Sequence, residues 1–199
     1  MPKPAYYLER DKLFEVLPKD SGSIVFLGNS LTQYFELAEL FANLRVKNRG
    51  IHGDDIEGTL KRLASVIDLK PSKIFIELGT NDLDLFHTTE RILLNYGRLI
   101  DTLQSTCPDT KIYVQSVLPV ANSNSQMPSY CSPQRNKQIQ ELNKVLENLT
   151  RTKRCTYIDA HGQFTTKGQI NPKYAVDGVH LSGEGYLLWT KIFRQYVEE

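Results

Sequence analysis

Ile24-Val25-Phe26-Leu27-Gly28-Asn29-Ser30-Leu31 is a run of β-branched and aromatic residues that stops at a glycine and turns polar. Such a run reads as a strand. Apolar residues at Tyr34, Phe35, Leu37, Leu40 and Phe41 follow at helical spacing, so the strand passes into a helix almost at once. Gly28 to Leu31 is then a strand-to-helix turn, the basic joint of an α/β fold.

The same alternation recurs along the chain. Apolar runs at Leu44-Arg45-Val46, Ile74 to Leu78, Ile112 to Val117 and Cys155 to Ile158 predict four more strands. Between them lie single apolar stripes: Ile56, Leu60, Leu63 and Ile67; Ile92, Tyr96, Leu99 and Leu103; Ile139, Leu142, Leu146 and Leu149. Tyr6 to Leu17 predicts a helix stopped by Pro18, and Tyr186 to Val197 a closing helix. Strands alternating with crossovers of this length favour a parallel sheet covered by helices on both faces. The expected fold is therefore α/β, a three-layer α/β/α domain around a five-stranded parallel sheet. At 199 residues, with no internal repeat, residues 1–199 are expected to form one domain. Pro119 to Pro133 reads as a long polar loop directly after the fourth strand, where substrate contacts usually arise.

Composition narrows the function. Lys and Arg number 24 against 23 Asp and Glu, for a formal charge of +1, so no global field draws in nucleic acid. The basic clusters Arg45 to Arg49 and Arg151 to Arg154 lack interleaved aromatics and read as solvated edges. No stretch is apolar for long enough to span a bilayer, and the first ten residues carry charges where a secretory signal needs an apolar core. As it stands the chain reads as soluble and cytoplasmic, or as secreted or periplasmic if a leader was removed. Cys107, Cys131 and Cys155 match no zinc or redox spacing; at least one stays free or bonds another chain, which leaves a homodimer open.

In an open α/β sheet the ligand crevice lies beyond the carboxyl ends of the strands. Four chemistry-bearing segments fall there: Gly28-Asn29-Ser30-Leu31, Gly50-Ile51-His52-Gly53-Asp54-Asp55, Gly79-Thr80-Asn81-Asp82 and Asp177-Gly178-Val179-His180. An alcohol needs a neighbouring base to act as a nucleophile at neutral pH, and the intermediate it forms needs donors aimed at its oxyanion. Ser30 supplies the alcohol and His180 the base. Asp177, three residues before His180 in a glycine-containing loop, is placed to fix the imidazole and stabilise its charged form. The amides of Ser30 and Gly53 and the side chain of Asn81 are candidate oxyanion donors.

These four blocks, in this order from Gly28 to His180, resemble those of the SGNH, or GDSL-like, hydrolases. The resemblance implies a flavodoxin-like fold, no metal or other cofactor, ester hydrolysis through an acyl-enzyme, and the roles just given to Ser30, Gly53, Asn81, Asp177 and His180. One position departs: the family's first block has Asp before the serine, and here Asn29 stands there. The wording of Phe26 to Leu31 and Val46 to Ile51 is also similar to that of bacterial sugar or sialate O-acetylesterases and relatives of platelet-activating-factor acetylhydrolase. This implies a small acyl ester, an acetyl group on a carbohydrate, as substrate. The rivals are a lysophospholipase or thioesterase using the same residues on longer acyl chains, and a catalytically silent flavodoxin-like binding module.

Each residue also has a plainer reading. Ser30 at a strand-helix junction suits an N-cap, and Asp177 and Asn81 suit turns. Gly50 competes with Gly53, since either permits a left-handed turn. His52 is a candidate for lining the site beside Gly53. Tyr130 and Cys131 read as loop anchors before substrate contacts, and Trp189 as core before a sugar platform. The combination, rather than any one residue, carries the expectation of a serine esterase.

Overall fold

The structure, a computed structural model, describes residues 3–199. In chain order the elements are α1 (Ala5–Val16), β1 (Ile24–Gly28), α2 (Ser30–Gln33), α3 (Leu37–Phe41), β2 (Val46–Gly50), α4 (Ile56–Lys61), α5 (Ala64–Ile67) and β3 (Lys73–Glu77). There follow α6 (Thr80–Asp84), α7 (Thr89–Thr106), β4 (Lys111–Gln115), α8 (Pro133–Thr152), β5 (Thr156–Ile158), α9 (His161–Phe164), the short β6 (Thr165–Thr166) and β7 (Gln169–Ile170), and α10 (Gly183–Glu198).

β1 to β5 form a five-stranded sheet in the order β2-β1-β3-β4-β5, with every pair parallel. This is the expected three-layer α/β/α fold with flavodoxin-like strand order. Side-chain alternation along β1 divides the core. Val25 and Leu27 point to one face, where α7 and α8 pack Ile92, Tyr96, Leu99, Ile139 and Leu142 against them. Ile24 and Phe26 point to the other, beneath Leu37 and Phe41 of α3 and Trp189 and Phe193 of α10. The register places Phe26 beside Phe75 and Phe75 beside Tyr113, and their rings stack at 4.6 Å centroid distance in both pairs.

Three elements differ from expectation. β2 runs Val46–Gly50 rather than through Leu44, which is 84% exposed. As an edge strand it has one neighbour, and its polar side chains have tasks that an apolar-run reading does not detect. The helix expected over Ile56 to Ile67 is two, broken at Arg62 and Leu63 where the Arg62 side chain turns inward. The segment after Leu31 is likewise two short helices, α2 and α3, and the β6–β7 hairpin had no apolar signal.

β2 and β3 flank β1 on opposite sides, so the strand order reverses there. The crevice opens at that reversal, beyond the carboxyl ends of β1 and β3. Among the described residues no helix is long and apolar enough to cross a membrane.

Candidate active site

Ser30 opens α2 directly after β1, held by Asn29, whose Oδ1 accepts the Leu31 N–H at 2.9 Å. From the other end of the chain, Asp177 folds a tight turn through Gly178, whose φ of +85° suits glycine. Asp177 Oδ1 accepts the N–H groups of Val179 (3.0 Å) and His180 (2.8 Å), which orients both side chains. His180 Nδ1 then donates to Asp177 Oδ2 at 2.7 Å, and Nε2 lies 3.0 Å from Ser30 Oγ. Burial raises the Asp177 carboxyl, but the hydrogen bonds from the His180 ring and the two amides outweigh it and hold it below the usual carboxylate range. A carboxylate only accepts, so Nδ1 carries the ring hydrogen and Nε2 is free to accept from the Ser30 hydroxyl.

Gly53 and Asn81 come from the loops after β2 and β3. Gly53 has a φ of +73°, and the amides of Ser30 and Gly53 have no protein acceptor among the described residues. Gly50, by contrast, ends β2, and a β-carbon there would strike the Gln33 and Asn29 backbones; its role is close packing. The Asn81 side chain is fixed at both ends: Nδ2 donates to the Asp54 carbonyl at 2.7 Å and Oδ1 accepts the Tyr130 hydroxyl at 3.0 Å. This leaves one Nδ2 hydrogen for a ligand. Ser30, His52, Gly53, Asn81, Tyr130 and His180 share the lining of one pocket of about 200 Å³.

A model of the GDSL-like lipase/acylhydrolase family matches residues 26–188, the span that holds all four loops. The chain belongs to the GDSL-like lipase/acylhydrolase family. Among solved structures, this acylhydrolase is similar to a Streptococcus pneumonia protein provisionally assigned as a platelet activating factor: 26% identity, TM-score 0.86, 96% of this chain and 92% of that one. A provisionally assigned acylhydrolase of Bacteroides fragilis matches at 25% identity and TM-score 0.84, over 99% and 98% of the chains. A GDSL-like lipase of Bacteroides thetaiotaomicron shares the fold at 24% identity and TM-score 0.83, over 96% and 97%. No curated protein matches the chain.

Behind the acylhydrolase pocket lies a buried polar layer that sequence reading missed. Asp54 accepts from Arg62 Nε and the Tyr7 hydroxyl, both at 2.7 Å, and from Thr59 Oγ1 at 2.8 Å. Arg62 Nη2 also reaches the Gly28 carbonyl at 3.2 Å, so one guanidinium ties the Asn81-holding loop to the end of β1. Their spacing matches no local pattern, and only the fold unites them with Tyr7 of α1. Under the Ser30 turn, Glu77 is buried, and burial pushes it up to about 8 despite the Asn29 amide 3.5 Å away. Among the described residues the single group with metal-ligand spacing is Asp55, Asp82 and His87, their ligand atoms within 4.8 Å. Lys3 Nζ already sits 2.9 Å from Asp55 Oδ1, and burial, then Asp55, pushes Asp82 up to about 7. That donor set answers its charge with an ammonium and a proton.

Proposed function

We propose that residues 1–199 act as one serine esterase domain that hydrolyses small acyl esters, acetyl esters of carbohydrates first among them. The observation that carries this is the unbroken chain from Ser30 Oγ to His180 Nε2 at 3.0 Å and from His180 Nδ1 to Asp177 at 2.7 Å. In this reading Ser30 Oγ attacks the ester carbonyl carbon while its proton passes to His180 Nε2. The Ser30 and Gly53 amides and the remaining Asn81 N–H stabilise the oxyanion. Collapse expels the alcohol, which takes the proton from His180. Water, deprotonated by His180, then cleaves the acyl-Ser30 ester to release the acid and restore the serine. Asp177 orients the ring and stabilises its charged form.

The short-acyl part is supported by the pocket, whose volume of about 200 Å³ lies below the roughly 300–1,000 Å³ of drug-sized ligand sites. The carbohydrate part rests on the similarity of the Phe26 to Leu31 and Val46 to Ile51 wording to sugar O-acetylesterases. A fluorophosphonate probe is expected to label Ser30 and nothing in Ser30→Ala, with turnover of p-nitrophenyl acetate abolished in that variant. Asp177→Asn should retain more activity than His180→Ala, because nucleophile and base both remain. An unlabelled Ser30 leaves a binding module, and a kcat/KM preference for p-nitrophenyl decanoate leaves a long-chain acylhydrolase.

A further inference from the structure

His52 has a position that the hydrolytic steps above do not use. It lies in the turn after β2, next to Gly53, and three of its four polar atoms already have protein partners. The N–H donates to Gln33 Oε1 at 2.7 Å, the carbonyl accepts the Tyr6 hydroxyl at 3.4 Å, and Nδ1 meets the Tyr34 hydroxyl at 3.0 Å. Nε2 has no partner among the described residues, and the residue lines the pocket. Burial, and then the charge of His180, lower the His52 pKa, so the ring stays neutral. A neutral imidazole carries one ring hydrogen: it sits on Nε2 where the Tyr34 phenol donates to Nδ1, and on Nδ1 where the phenol accepts, and in both tautomers Nε2 is the polar atom left for a ligand.

The neighbours of this ring say which half of an ester it meets. His52 is stacked beside His180, with centroids 5.9 Å apart and planes 18° from parallel. The Tyr34 ring, half exposed, lies 5.7 Å from the His180 ring and 6.0 Å from that of His52. The departing alcohol oxygen must come within hydrogen-bond reach of His180 to collect its proton. The alcohol half of the substrate therefore passes close to the His52 and Tyr34 rings, where His52 Nε2 is left without a protein partner among the described residues.

We propose that His52 and Tyr34 form the alcohol subsite and select esters whose alcohol carries further hydroxyl groups, His52 Nε2 hydrogen-bonding to a substrate hydroxyl. This rests on the serine esterase reading above. A purely apolar alcohol would cover that nitrogen without pairing it, which penalises binding.

Glycerol monoacetate and propyl acetate share the acyl group and the three-carbon alcohol, and differ in hydroxyls. The wild-type enzyme is expected to prefer glycerol monoacetate by kcat/KM. In His52→Phe, which keeps an aromatic ring and removes that nitrogen, that preference should shrink roughly tenfold, the size of one neutral hydrogen bond. Tyr34→Phe, which removes only the hydroxyl that pairs with His52 Nδ1, should shrink it less, and serves if the first variant folds poorly. A wild-type enzyme indifferent to the hydroxyls, or a preference unchanged in both variants, overturns the subsite while leaving the esterase intact. Failure to hydrolyse either acetate, with no phosphonate label on Ser30, overturns the esterase reading and the subsite together.

Discussion

Asn29 divides its amide between two tasks. Oδ1 caps the Leu31 N–H, and Nδ2 faces Glu77 Oε1, so the turn that presents Ser30 leans on a buried acid pushed up to about 8. An Asp at position 29, the residue usual in the family, would set a second carboxyl against Glu77 where water cannot screen it. Asn29→Asp is accordingly expected to lower kcat on p-nitrophenyl acetate by on the order of tenfold with little change in KM, a loss of about 1.4 kcal/mol of transition-state stabilisation. The double variant Asn29→Asp with Glu77→Gln should recover most of it. Equal losses in the single and double variants would show that the two side chains do not interact. Ser30, His180 and Asp177 stand out in the sequence because few residue types perform such chemistry and each lies within two residues of a glycine in a loop. Glu77 carried no such signal: within Ile74-Phe75-Ile76-Glu77-Leu78 it is one polar residue in a strand, and its environment exists only after β1 and β3 pair.

At the level of elements, β2 shows why apolar runs found four strands well and the second poorly. Val46-Lys47-Asn48-Arg49-Gly50 has one large apolar residue, yet it pairs with β1 along its whole length. Asn48 accounts for part of this. Its Nδ2 donates to the carbonyls of Thr32 (2.6 Å), Gln33 (3.3 Å) and Phe35 (3.1 Å), while Oδ1 accepts the Gly50 N–H at 2.8 Å. One side chain thus closes the C-terminal end of α2, the helix that starts at Ser30, onto the sheet edge. Loops and side-chain ties of this kind leave no periodic trace, whereas α7 and α8, with regular stripes, were readable within a few residues. Asn48→Ala should destabilise the fold by about 1–3 kcal/mol, since it leaves the Gln33 carbonyl and the Gly50 N–H unpaired, while the Thr32 and Phe35 carbonyls keep the N–H groups of Phe35 and Leu37. Chemical denaturation reads this directly, and an unchanged midpoint at constant slope would mean that the strand holds α2 by its backbone alone.

Across the whole molecule, the sheet's reversal gathers four distant loops at one rim, and the same reversal buries acids beneath them. Glu77 is pushed up to about 8 from 4.5 and Asp82 to about 7 from 3.8, both first by burial. A carboxyl whose folded pKa exceeds its unfolded value contributes stability that is complete below the unfolded pKa and is lost as pH rises through the folded one. His52 and His161 work in the opposite sense: burial lowers both from 6.5, so their contribution is present above 6.5 and lost below it. Asp177, Asp55 and Glu57, all held low, matter only in acid. Between about pH 6.5 and 8 the buried acids dominate the change among these groups, and their contribution falls with rising pH, by at most about 1.4 kcal/mol per unit for each. For a chain of this length that is a decline in Tm of roughly 2–4 °C per kcal/mol. Glu77→Gln keeps the oxygen that faces Asn29 but has no proton to lose, so its Tm should fall less steeply than that of the wild type across this window. Parallel slopes would mean that Glu77 ionises in the folded protein at an ordinary pH, and that the turn under Ser30 rests on a carboxylate rather than a neutral acid.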